Sequence, residues 1–167
     1  MKKLFTLIAF VMIAAVGFAQ DANDVQAEFK ALQDAFGKDK AELVKQYMAI
    51  PAEKDAAFWS LYDQYETARK ALGKSKAQLI ADYANSYADL DDKKATDLMK
   101  RKADIQDEYT KMTRKFFPQF SKVLGGAQAA KFFQLEDYLN NIINLGIQNN
   151  IPFIGEIDKS KIPAAKG

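Results

Sequence analysis

Apolar residues recur along this chain at steps of three and four, the spacing that lines one face of an α-helix. The first run reads Val25, Phe29, Leu32, Phe36, Leu43, Tyr47 and Ile50, with Asp24 placed as an N-cap. Gly37 interrupts that stripe, and Pro51 ends it, because the residue before a proline is pushed out of the α region. Pro51 in turn suits the opening of a second helix. Its stripe runs Phe58, Leu61, Tyr62, Tyr65, Ala68, Leu72, Leu79, Ile80, Tyr83, Tyr87 and Leu90, with Gly73-Lys74-Ser75-Lys76 placed where a bend would fit. Ala88-Asp89-Leu90-Asp91-Asp92 turns the chain, and Asp91 or Asp92 is placed to cap a third helix.

That third helix carries Ala95, Leu98, Ile105, Tyr109, Met112, Phe116, Phe120 and Val123 on one face, with Pro118 inside it as a kink point. Gly125-Gly126 forms a tight turn into a fourth, marked by Ala129, Phe132, Phe133, Leu135, Leu139, Ile142 and Ile143 and ending near Asn149-Asn150. No stretch alternates with the two-residue period of a strand. The expectation is one all-α, four-helix domain over residues 20–155, with a loose tail over residues 156–167. A helix from Pro51 to Ala88, if unbroken at Gly73, is roughly 57 Å long. A compact globule of this size is about 35–40 Å across. The second and third helices are therefore expected to form an elongated hairpin, leaving apolar surface for a second subunit or a client.

The first nineteen residues have a different pattern. Lys2 and Lys3 precede an apolar run from Leu4 to Gly17 broken only by Thr6, and Gly17 and Ala19 occupy the small-residue positions before Gln20. A run of this length is short for a spanning helix, which needs roughly 18–20 residues. Residues 1–19 are read as a cleaved export signal, which leaves a periplasmic chain without a membrane span.

Composition narrows the chemistry. The chain has no cysteine and no histidine. Disulfides, thiol nucleophiles, a lipid-bearing cysteine, Ser-His catalysis and histidine-bound zinc or haem are thereby removed. The whole chain has 24 basic and 22 acidic side chains, and its net charge of +2 equals the two lysines of the signal. The processed chain is therefore neutral, which takes away the general electrostatic case for nucleic acid. Asp89, Asp91 and Asp92 lack the glycine and distal glutamate of a calcium loop and read as helix caps. Carboxylate pairs such as Asp107 and Glu108 are ordinary helix-surface residues. No enzyme activity, cofactor or metal is expected.

Two segments resemble the Spy/CpxP family of periplasmic helical proteins, which carries a repeated Leu-Thr-x-x-Gln motif at helix starts. The better copy is Leu124-Gly125-Gly126-Ala127-Gln128, where Leu124 and Gln128 match. The weaker is Ile50-Pro51-Ala52-Glu53-Lys54, where Ile50 keeps the apolar first position and Lys54 stands in the Gln position. In such a motif the leucine packs as a staple before the helix and the threonine caps it; Gly and Pro here supply no capping hydroxyl. The run Phe58-Trp59-Ser60-Leu61-Tyr62-Asp63-Gln64-Tyr65 is also similar to signal-bearing relatives of that family. The resemblance implies a thin helical cradle that dimerises. It also implies a function among ATP-independent chaperones, inhibitors of envelope-stress sensor kinases, or metal sensors, whose sites use the histidine this chain lacks.

Two groups of residues are candidates for a binding surface. Phe58, Trp59, Tyr62 and Tyr65 read first as core or dimer packing and second as a client surface. Lys100, Arg101 and Arg114 belong to a locally basic third helix, by default a solvated face and otherwise a patch for acidic unfolded chains. Three functions stay open: a chaperone for unfolded envelope proteins, a regulator docking on a periplasmic sensor domain or anti-sigma factor, and a purely structural helical module. Processing is directly testable. Intact-mass measurement of exported protein should give a chain starting at Gln20, and retention of residues 1–19 in a membrane fraction would refute the signal reading.

Overall fold

The computed structural model describes residues 36–150, with side chains through residue 148. The expected signal, the start of the first helix and the tail lie outside these residues. Within them the fold is all α. We number the helices α1 (residues 36–48), α2 (Ala52–Ser86), α3 (Asp92–Leu124) and α4 (Gly126–Asn150), with a 3₁₀ turn at Tyr87–Asp89 between α2 and α3.

The long hairpin is present. α2 runs unbroken through Gly73 for 35 residues and α3 through Pro118 for 33, roughly 50 Å each at 1.5 Å per residue. They pair with each other, and α4 packs along α3. The turns are made by local chemistry. Asp91 caps α3, its carboxylate accepting from the Lys94 N–H at 2.8 Å. Gly125 alone separates α3 from α4. Its φ of 88° is costly for residues with a Cβ; its N–H donates to the Ser121 carbonyl at 2.8 Å, and its own carbonyl accepts the first bond of α4, from Ala129 at 3.0 Å. Between α1 and α2 the chain passes through Ala49, at a positive φ of 46°, then Ile50 and an extended Pro51.

Burial divides the hairpin in two. At the end bearing α1 and α4, Phe58, Tyr62 and Tyr65 of α2 meet Phe116 and Phe120 of α3 and Phe132 and Phe133 of α4, all buried. Their rings lie mostly edge to face: Tyr65 is 5.5 Å from both Phe116 and Phe132, while Phe120 and Phe132 approach to 4.5 Å. Beyond Glu66 on α2 and before Met112 on α3 no residue is buried. Leu72, Leu79, Ile80, Tyr83, Leu98 and Ile105, the apolar stripe of this outer arm, are all half-exposed.

The first helix differs in phase from its sequence reading. Val44 and Met48 are its core residues, at 0% and 1% exposure, while Tyr47 is 44% exposed and Leu43 and Ile50 only half-buried. The buried line is Lys40, Val44, Met48, a step of four. The expected line is rotated from it by one residue, because a lysine in the middle of the true face breaks the apolar pattern.

Candidate functional site

Two places carry the polar and exposed apolar features that function requires: a buried ionic node where α1, α2 and α4 meet, and the outer arm.

The node is centred on Lys40, 1% exposed. Its Nζ donates to Glu66 Oε1 at 2.5 Å and to Glu136 Oε2 at 2.6 Å. Arg69 bonds both oxygens of Glu66 in a two-pronged grip, at 2.9 and 3.0 Å, one turn along α2. Tyr65 donates its hydroxyl to Glu136 Oε2 at 2.9 Å. The Lys40 ammonium also lies 5.5 Å from the centre of the Tyr65 ring and 5.8 Å from that of Tyr62. Two cations and two carboxylates thus balance in a buried setting, bringing three helices to one point.

The two glutamates are tuned in opposite directions. Burial pushes the Glu66 carboxyl up, but hydrogen bonds from Arg69 and the charge of Lys40 outweigh it and hold the group below its ordinary 4.5. For Glu136 burial wins: Lys40 offsets it only in part, the charge of Glu66 adds to it, and the carboxyl is raised. Burial and the neighbouring glutamates also raise the Tyr62 and Tyr65 hydroxyls far above their ordinary range, so both stay neutral. Among the described residues, Glu136 Oε1 and the Tyr62 hydroxyl have no hydrogen-bond partner. Beside the node lies a cavity of about 40 Å³ bordered by Lys40, Tyr65, Arg69, Tyr109, Glu136 and Asn140, above the roughly 10–15 Å³ that a single water needs.

The arm is held by weaker means. Arg101 of α3 reaches across to Asp82 of α2 at 2.6 Å and lies 3.7 Å from Asp97 on its own helix. The Arg101 pair holds the Asp82 carboxyl below its ordinary range, a group with little burial. Lys76 bonds Asn144, tying the outer half of α4 to α2. Tyr83 and Tyr87 stack edge to face at 5.8 Å. A groove of about 410 Å³ runs over Lys74, Ser75, Gln78, Arg101, Asp104 and Ile105. Elsewhere on the arm Met99 is 58% and Tyr87 40% exposed.

These positions redistribute the candidate residues. Phe58, Tyr62 and Tyr65 are not surface at all: they are packed inside the chain, which is the core reading of that aromatic run. Trp59 is half-buried on the core's edge, its indole N–H donating to Asp55 at 3.0 Å. Arg101 serves the hairpin as a cross-link, whereas Lys100 and Arg114 are exposed. Of the motif positions, Leu124 is buried and Ile50 packs on the core; Lys54 is half-buried and Gln128 exposed. The node was missed from sequence. Its one signal is that Lys40 stands on the four-step line between Phe36 and Val44, while Glu66 follows Tyr65 and Glu136 follows Leu135 on the apolar faces of their helices.

No family model, curated protein or solved structure matches this chain. Among the described residues, no helix is long and apolar enough to cross a membrane.

Lys40→Met should destabilise the fold by about 3–5 kcal/mol, since it strands buried carboxylates. Adding Glu136→Gln, which leaves Glu66 balanced by Arg69, should recover much of that loss; urea unfolding of the single and double variants checks it. At the node the acid pH dependence is set by Glu66, and Asp82 on the arm adds a smaller contribution of the same sign. The folded-state pKa of Glu66 is depressed, so its contribution is complete above the ordinary 4.5 and drains away as pH falls through the folded value. Glu136, with a raised value, has the opposite slope and cannot produce an acid loss. Thermal unfolding as a function of pH should therefore show an acid limb below about pH 4.5 that Glu66→Gln flattens.

Proposed function

We propose that this chain is an exported, non-enzymatic helical protein that holds unfolded or partner proteins of the cell envelope on the outer arm of its α2–α3 hairpin. One observation carries the reading: an apolar stripe extends from residue 67 to residue 111 through two paired helices, yet no residue in that interval is buried. A stripe of this kind covers itself when a third helix lies on it. α4 is tied to α2 at Lys76 through Asn144, and the hairpin continues beyond that point to its turn. Apolar surface left at helical spacing, with Lys100 and Lys102 exposed beside it, suits extended segments of other chains that are apolar and carry acidic residues.

The resemblance to the Spy/CpxP family supports the same reading through its layout of signal, long hairpin and Leu-initiated last helix. It also supplies the alternative, a regulator that docks on one periplasmic sensor domain. The two differ in breadth. A holder of unfolded chains delays aggregation of unrelated proteins, whereas a regulator is indifferent to them.

The arm, not the aromatic end, should carry the activity. Leu98→Ser with Met99→Ser should leave helicity nearly unchanged and lower the unfolding midpoint by only about a few degrees, Leu98 being half-covered and Met99 58% exposed. The same variant should lose at least about half of the wild-type suppression of aggregation of a denatured test protein, in keeping with the loss of exposed apolar surface. Wild-type protein that fails to delay aggregation at a several-fold excess would exclude the holding function and leave the regulatory one.

A further inference from the structure

We propose that α1 exchanges between two copies of this chain, each copy's α1 docking on the α2–α4 surface of the other. The complementarity is displayed within the chain itself. α1 brings Lys40, Val44 and Met48, all at or below 1% exposure, onto a surface made by the other helices. Its last turn is held from α4, where Lys131 donates to the Tyr47 carbonyl at 2.7 Å and sits 4.3 Å over the Tyr47 ring. Every one of these contacts can be made equally well by α1 of a second copy, and the ionic node would be identical in the exchanged form.

What distinguishes the two forms is the linker. It consists of Ala49, Ile50 and Pro51 alone. To fold α1 back on its own α2, Ala49 takes a φ of 46°. That left-handed conformation suits glycine and is disfavoured by the Cβ of alanine. Ile50 precedes a proline, which biases it to extended backbone, and Pro51 itself is extended at ψ 143°. Straightening the hinge releases Ala49 from its strained region and moves the linker the way its own residues favour. Short hinges under strain are the setting in which exchange competes with closure. The proposal does not depend on client binding, since the arm from residue 67 to residue 111 takes no part in it.

Sedimentation of the full processed chain tests it. A dimer whose population grows with concentration is expected. Ala49→Gly, which relieves the closed hinge without touching the core, should raise the dimer dissociation constant by about 30-fold or more, two hinges contributing per dimer. Inserting Gly-Ser-Gly-Ser between Ile50 and Pro51 should convert the protein to a monomer with unchanged helicity. A charge-reversed pair gives a positive signal. Lys40→Glu, and separately Glu66→Lys with Glu136→Lys and Arg69→Glu, each unbalance the node within one chain, whereas exchange brings two cations and two carboxylates together again. Refolded together, they should form a one-to-one dimer with restored thermal stability, read by native mass spectrometry. A wild-type chain that stays monomeric from micromolar to millimolar concentration would overturn the proposal. So would a dimer indifferent to both linker changes, which would mark a contact between ordinary surfaces. Should the charge-reversed chains fail to refold, the two linker variants decide alone.

Discussion

An ammonium group taken out of water loses several kcal/mol of hydration, and a buried carboxylate loses a comparable amount. Lys40, Glu66 and Glu136 survive burial only because each is within 2.6 Å of an opposite charge and Arg69 completes the balance. That requirement fixes geometry more than it adds stability. Apolar packing of Val44, Met48 and the aromatic rings would tolerate small slides of α1 along the hairpin. An ammonium that must reach two carboxylates on two different helices does not. The node therefore selects one register and one rotation for α1, and the hydrophobic core conforms to that choice.

This explains which parts of the fold were legible in the sequence. Helix ends set by local chemistry were readable: an aspartate cap at Asp91 or Asp92, the Gly125-Gly126 turn and the break at Pro51 act within a few residues of themselves. So was the hairpin, because stripes with a period near 3.6 on two neighbouring segments can hardly pack otherwise. The phase of α1 was not. Lys40 looks like a solvent-facing residue until Glu66 and Glu136, 26 and 96 positions away, are known to converge on it, and that convergence is a product of tertiary packing. The aromatic run at Phe58–Tyr65 had a similar ambiguity. Its spacing told that one face is apolar, but whether α4 or another molecule covers it depended on where Phe132 and Phe133 return.

The two halves of the hairpin thus obey different rules. Near α1 and α4, dense ring contacts and a neutralised ionic cluster leave little freedom, and the residues there serve the chain itself. Farther out, α2 and α3 are joined to each other by the Arg101–Asp82 pair and half-covered aliphatic side chains. Surface pairs of that kind contribute at most about 1 kcal/mol. What the outer half lacks in internal cohesion it retains as accessible apolar area, which is the property that binding to other chains demands.

The one-sided placement of the core has a consequence for how the backbone breathes. Two helices run without interruption from the aromatic cluster to the Tyr87–Asp89 turn, but the free energy that keeps them closed declines along their length. Opening therefore starts at the turn and works inward, rung by rung, without disturbing the ring cluster. Amide protons would record this as a slope: fast exchange near the turn, slow exchange at Phe58 and Phe120, and no sharp border between them.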